Sequence, residues 1–294
     1  MSISAADVKN LREATGAGMM DCKKALAETD GDFEAAVALL REKGIAVAAK
    51  RESKSASEGV LVIYQSDDPK VSVLAELNCE TSFVAKNDQF LELIDKIAAT
   101  AAISEAADIE TLKSEKLVGS DLTVAENITE IMGVIGEKID CPRFVKCTGT
   151  ENDVIDGYVH SDKLKGVLVK IYCEDTAVAA SEDATKLAKD ISMHIAWSNP
   201  TYLNVEDVPA EEIEKEREIQ INRAKEEGKP EEIAKRMVEG RLQKEFFSGI
   251  CLVKQPYVKD EKMTVGDLVS NFGKEKGTKV EIKGFVRFRV GENS

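Results

Sequence analysis

The sequence predicts an α+β fold: a three-helix bundle at the N-terminus, two related β-hairpin-plus-helix core subdomains, and a protruding antiparallel helical hairpin. Three observations predict it. Residues 1–44 carry apolar side chains at helical spacing between caps and turns. Two later stretches each give two β-rich runs followed by a helical stripe. Residues 210–247 are mostly charged and rich in strong helix formers, with few apolar positions.

In the first segment Ser4 caps a helix whose inner face carries Val8 and Leu11, and Thr15-Gly16-Ala17-Gly18 breaks it. A second helix runs from about Met19 to Ala27, with Cys22, Ala25 and Leu26 inward. Asp30-Gly31-Asp32 gives a turn and a cap. The third helix turns Phe33, Ala36, Val37 and Leu40 inward and stops at Gly44. The bundle is placed at 1–48 and a linker at 49–57.

The first core subdomain, 58–150, opens with strands Val60–Tyr64 and Val71–Leu77 around the hairpin signature Ser66-Asp67-Asp68-Pro69. Asp88–Ala102 is a helix with Phe90, Leu91, Ile94, Ile97 and Ala98 on one stripe. More helix runs to about Glu137, before a strand-like run over Phe144–Cys147. The second subdomain, 151–294, repeats the pattern. A strand begins at Gly157-Tyr158-Val159-His160, Ser161–Lys165 turn, Val167–Cys173 form a strand, and Glu182–Trp197 a helix. Val73–Glu80 aligns with Val167–Glu174. The distances back to Gly59 and Gly157 differ by an even number, which preserves facing because strands have a period of two. The hairpin at 210–247 has a sparse seam of Ile213, Ile221, Ala224, Ile233, Met237 and Leu242, interrupted by Gly228-Lys229-Pro230. A helix over Val265–Phe272 and a strand over Val280–Val290, with a bulge at Gly284, close the chain.

Composition narrows the function. The chain has 294 residues, 43 % apolar and 32 % charged, with a net charge of −14. That charge opposes whole-surface attraction to nucleic acid or anionic lipid. Lys50, Arg51 and Lys54 form a small basic patch that reads as a solvated linker or as a local nucleic-acid contact. No window is apolar enough to span a bilayer, and the N-terminus lacks a signal or transit pattern, so the chain reads as cytosolic. The six cysteines form no C-x-x-C pair and sit in apolar runs, as small buried hydrophobes. No cofactor or metal ion is expected. No phosphate loop, dinucleotide fingerprint or nucleophile elbow is present. Of the two histidines, His194 lies on an apolar helix face and reads as a satisfied core residue.

Two segments stand out. Arg12–Leu26, REATGAGMMDCKKAL, puts Met19-Met20 at a helix start and follows them with Lys23-Lys24. Adjacent methionines cannot both face one core, so at least one is exposed, as a soft contact for a partner or as an incidental exposure. Thr81–Asn87, TSFVAKN, holds Phe83 in a short loop between a buried strand and a capped helix. Phe83 reads either as an anchor for a partner or as a ring folded back into the core.

Both segments resemble the elongation factor Ts family. RE-TGAGMMDCKKAL matches almost without interruption. NCETSFVAKN is similar to the family's N-C-(E/Q)-T-D-F-V-A-(K/R)-N segment. Gly228-Lys229-Pro230 with IAKRMVEGR resembles its helical hairpin, and Gly284-Phe285-Val286-Arg287-Phe288 its closing strand. The resemblance implies a ubiquitin-associated-like N-terminal bundle, a two-part α/β core and a protruding coiled coil. It implies no covalent catalysis, and a partner, elongation factor Tu carrying GDP, whose nucleotide release is accelerated. Neither direct nucleotide binding nor a nucleic-acid or membrane partner is implied. Carried over by position, Arg12, Met19, Met20 and Lys23 contact the partner's GTPase domain. Phe83 inserts beside its magnesium and phosphate region. His160, in YVHSDKLKGVL, contacts the same domain. The family usually has Asp where this chain has Ser82, which removes a carboxylate beside the wedge. Three rival readings stand beside exchange: a scaffold without exchange activity, an RNA-associated factor using Lys50, Arg51 and Lys54, and a thiol enzyme using Cys79.

Overall fold

Ser4 accepts a hydrogen bond from the Asp7 amide while the Asp7 carboxylate takes the Ser4 amide, and this capping box starts α1 (Ala5–Thr15). The computed structural model describes residues 3–227 and 237–292. Gly16 ends α1 in the left-handed region, with φ at +68°, where a side chain would be strained. Helices α2 (Met19–Glu28) and α3 (Phe33–Arg51) follow, the latter capped by Asp32. Val8, Leu11, Cys22, Ala25, Leu26 and Ala36 form their small shared core.

Two expectations fail here. Phe33 is largely outside this core, 38 % exposed, because it occupies the first helical position and the core begins at Ala36. Gly44 does not stop α3, which continues to Arg51. The glycine lies instead at a close crossing with α6 (Val124–Ile135), where a Cβ on Gly133 would collide with the Cα of Gly44, whereas a Cβ on Gly44 would make an ordinary 3.5 Å contact. The predicted linker therefore begins as helix and becomes irregular only after it.

Strands β1 (Glu58–Gln65), β2 (Val71–Cys79) and β3 (Ile139–Thr148) form an antiparallel sheet in the order β1-β2-β3. The expected run over Phe144–Cys147 is thus the end of a longer strand. Between β2 and β3 lie α4 (Asp88–Ile103), the short α5 (Ile109–Lys113) and α6. β2 alternates. Val73, Ala75, Leu77 and Cys79 face Phe90, Ile94 and Ile97 of α4, while Leu74 points the other way.

The second sheet has the order β4-β5-β8, from β4 (Asp153–Val159), β5 (Lys165–Cys173) and β8 (Val280–Arg289). On β5, Val167, Val169, Ile171 and Cys173 pack under α8 (Glu182–Ser198), which follows the one-turn α7 (Thr176–Ala179). Leu168 points the other way and meets Leu61, Leu74 and Phe288. The two sheets therefore pack face to face, with helices outside. The strand expected to begin at Gly157 in fact ends at Val159, and His160 lies in the turn. The two hairpins share one register, but not through Gly59 and Gly157. Tyr64 pairs with Val73 and Tyr158 with Val167, nine residues apart in each case, whereas Gly59 pairs with Asn78 and Gly157 with Leu168. The bulge expected at Gly284 is present: Lys170 pairs with Gly284 and Ile171 with Ile282.

Glu76 on β2 is almost fully buried and carries a charge, so it requires partners. Arg143 on β3 donates to it at 2.7 Å, and the Gly291 amide at 3.0 Å. Arg143 also lies 4.2 Å from the Phe288 ring centroid and donates to the Arg289 carbonyl. The end of β8 is thereby tied to the first sheet.

In the charged region, α9 (Ala210–Glu226) packs against a return arm over 237–250, which contains a π turn at Leu242–Phe246. Ion pairs Arg217–Glu239 and Arg241–Glu227, both at 2.9 Å, bridge the two arms. Gly228-Lys229-Pro230 and Ile233 lie outside the described residues. A small hairpin of β6 (Pro256–Tyr257) and β7 (Asp260–Thr264), not anticipated from the sequence, precedes a helix over Val265–Lys276.

His194 is a core residue, as its helix face implies. Its Nδ1 accepts the Val258 amide at 3.2 Å, so its Nε2 carries the proton toward Gln255 Oε1 at 3.0 Å. Burial lowers its pKa, against a smaller raising effect of Gln255. The unfolded chain thus takes up the proton at a higher pH than the folded one. The resulting stability is present above about pH 6.5 and is lost as pH falls below it. Thermal melts between about pH 7.5 and 5 should show a falling midpoint, and His194→Gln should flatten that dependence.

Candidate partner-docking site

The loop after β2 is fixed from both sides. The Thr81 amide and hydroxyl donate to the two oxygens of Glu137 at 3.0 and 2.8 Å. Glu80 accepts the Lys138 amide at 2.7 Å and pairs with Arg51 at 3.0 Å. After the loop, Val84 and Ala85 enter the core beneath α4, and Asn87 caps α4 by accepting from the Gln89 and Phe90 amides. Between these anchors Ser82 and Phe83 stand out from the surface. Phe83 is 88 % exposed, which rules out the folded-back reading. The Ser82 hydroxyl makes no hydrogen bond among the described residues.

The α1–α2 turn lies against the start of α4. A Cβ on Gly16 would fall 2.5 Å from Gln89 Nε2. Ala17 is buried in the bundle, and its carbonyl accepts the Cys22 thiol. The turn therefore presents α2 from a fixed base. Met19 and Met20 are 59 % and 62 % exposed, so both are surface residues, not one. Arg12 and Lys23 are exposed, and among the described residues neither has a carboxylate within ion-pair range.

His160 occupies the β4–β5 turn. Its amide donates to the Lys165 carbonyl, its carbonyl accepts from Lys163, and its Nδ1 lies 3.0 Å from Asp162. The Lys163 carbonyl accepts the Leu61 amide at 2.8 Å, which fixes the turn to β1. Asp95 on α4 has its carboxyl pushed up by burial and partly drawn back by the charge of Lys163. The three segments are therefore supported by α4 and the hairpin beneath it. Among the described residues no hydrogen bond or ion pair joins Arg12, Met19, Met20, Lys23, Ser82, Phe83 and His160 to one another across the segments.

One rival chemistry, the thiol enzyme, fails on this geometry. Cys79 is buried and its thiol donates to the Thr81 carbonyl. Burial, aided by the nearby Glu137 charge, pushes it up to about 12, the opposite of an activated nucleophile. Arg51, the centre of the basic linker patch, is already paired with Glu80. Among the described residues there is no cluster of metal-ligating side chains, and no helix is long and apolar enough to cross a membrane.

The arrangement is a set of exposed side chains on firmly anchored segments, and comparison with known proteins gives the family. The family described as Elongation factor TS matches residues 80–292. The chain is 45 % identical to elongation factor Ts of Clostridium novyi (strain NT), over 99 % of this chain and 93 % of the relative. It is 43 % identical to elongation factor Ts of Syntrophotalea carbinolica, over 99 % of this chain and 94 % of that one. The chain is thus a translation elongation factor by class. It belongs to the elongation factor Ts family.

Glu137, named in the sequence only as the end of a helical run, holds the exposed loop. Glu137→Ala should speed exchange of the Thr81 amide by about tenfold or more, since a hydrogen bond to a charged group contributes roughly 1.5–3 kcal/mol. Mass-resolved hydrogen exchange measures this directly. Alkylation at pH 8 should leave Cys79 unmodified until the chain unfolds, because only the thiolate reacts.

Proposed function

We propose that this chain binds elongation factor Tu carrying GDP and promotes GDP release during translation elongation, in the cytoplasm and without covalent catalysis. The observation that carries the proposal is Phe83, an aromatic ring 88 % exposed on a loop anchored at both ends, in a member of the elongation factor Ts family. An exposed ring of this size is costly to leave in water, and burying it in a partner gains roughly 1.5–3 kcal/mol. A loop already held in place loses little entropy when it docks.

In this reading Arg12, Met19, Met20 and Lys23 grip the GTPase domain of the partner. The methionines supply adaptable apolar contact and the two cations supply charge with no internal competitor. His160 touches the same domain from the second hairpin. Phe83 displaces the elements that hold magnesium beside the phosphates, whose charge the ion otherwise neutralises. Ser82 leaves out the family's usual carboxylate, so the aromatic ring carries the displacement. The units 1–48, 58–150 and 151–294 act as a ubiquitin-associated-like grip and a two-part core, with the hairpin 210–247 projecting from the second part. Linkage sets the energetics: a factor that weakens GDP binding is itself bound less tightly, by the same ratio, when GDP is present.

The test is release of fluorescent GDP from elongation factor Tu in excess unlabelled nucleotide. Substoichiometric chain should accelerate release. Phe83→Ala should slow the stimulated release by roughly 10- to 100-fold, a hot-spot loss, and change docking affinity much less. Complex formation without faster release would replace exchange by a scaffold role.

A further inference from the structure

The helices α3 and α6 touch through a pair of glycines. A Cβ on Gly133 would collide with the Cα of Gly44, well inside the closest approach of two carbon atoms, and the neighbour is backbone with no rotamer to yield. The reverse substitution differs. A Cβ on Gly44 would lie 3.5 Å from the Cα of Gly133, an ordinary contact. Gly44 is mid-helix and Gly133 lies in the last turn of α6, and in both helices alanine is the better helix former. Their value lies in the crossing.

Around the crossing the bundle is also held by the α1–α2 turn against Gln89 and by Lys138, which donates to the Glu52 carbonyl. Beside the glycines a cavity of about 220 Å³ opens between the α1–α2 turn and α6, lined by Thr15, Gly18, Val37 and Val134. Arg41–Glu126 is a half-exposed pair at 2.7 Å, of the kind that contributes little. The far end of α3 is held by Arg51 on Glu80, in the strip of chain that leads to Phe83. The crossing therefore sets how far Met19 and Met20 stand from Phe83: one side of the surface hangs from α3, the other from the β2–α4 loop.

We infer that Gly133, packed on Gly44, is the positioning residue that registers the methionine grip against Phe83. The inference rests on the exchange reading proposed above. Alanine at 133 forces the helices apart, while the chain keeps every residue that would touch a partner. Alanine at 44 does not force them apart. Both changes replace glycine with a better helix former, so propensity loosens neither helix, and a disturbance confined to Gly133→Ala reports the crossing.

The experiment uses the full chain carrying Lys24→Cys and Glu92→Cys spin labels, at exposed sites on the bundle and on α4, and measures their dipolar EPR distance. The same Gly133→Ala and Gly44→Ala variants, unlabelled, enter the fluorescent GDP assay at saturating chain. Gly133→Ala should lengthen or broaden the label distance and slow stimulated release about tenfold or more, a geometric loss at unchanged side-chain chemistry. Gly44→Ala should match the parent in both. Gly133→Ala with the parent distance overturns the joint. A shifted distance with parental release overturns its role in exchange. If the parent itself fails to accelerate release, the exchange reading falls, and the EPR comparison alone decides whether Gly133 sets the bundle's position.

Discussion

Strands β2 and β5 are each buried on both faces, and most of the architecture follows from that constraint. Val73, Ala75 and Leu77 must be covered by helices, while Leu74 must be covered by something else. The second sheet meets that need, because β5 faces it with the same alternation through Leu168. A one-residue slip of β2 would turn Val73, Ala75 and Leu77 toward the second sheet and Leu74 toward α4, misfitting both cores at once. The register of each hairpin is therefore pinned, and the turns at their ends are pinned with it. α4 lies across the first sheet through Phe90, Ile94 and Ile97. Its N-terminus fixes where the Phe83 loop emerges and where the α1–α2 turn comes to rest.

Rigidity and exposure are combined in that loop in a way that ordinary surface loops lack. Thr81 is clamped by Glu137, Val84 is in the core, and Asn87 closes the helix end. The two residues between have nowhere to retreat. The exposure of Phe83 is enforced by its neighbours, and so are the positions of its own backbone groups.

Much of this was legible in the residues. Periodicity found both hairpins, the stripe on α4, the capped bundle and the bulge near Gly284, because each has a local cause. The failures share a different cause. Gly44 reads locally as a helix stop, yet its reason is Gly133, far away in sequence. Phe33 has the right spacing for the bundle core, but α3 enters that core only at Ala36, one turn later. Phe83 could be read either way, since a wedge and a core ring call for the same residue and only its surroundings separate them. Glu137 was invisible as one carboxylate among 54 acidic residues. The family motifs supplied residue roles that local physics does not encode, and the exposures of Met19, Met20 and Phe83 agree with those roles without deriving them.

The strand order of the second sheet also imposes a timetable. β1, β2 and β3 are contiguous enough that the first sheet is complete once residue 148 has been made. β5 has no such luck: its second neighbour, β8, begins only at Val280. At roughly 5–20 residues per second, synthesis leaves that edge of β5 open for about 5–20 s. During that interval an apolar strand with unpaired backbone groups is available to any other chain emerging nearby. The segment made in the meantime includes the charged helix α9, so the open apolar edge is followed in the nascent chain by a strongly polar stretch.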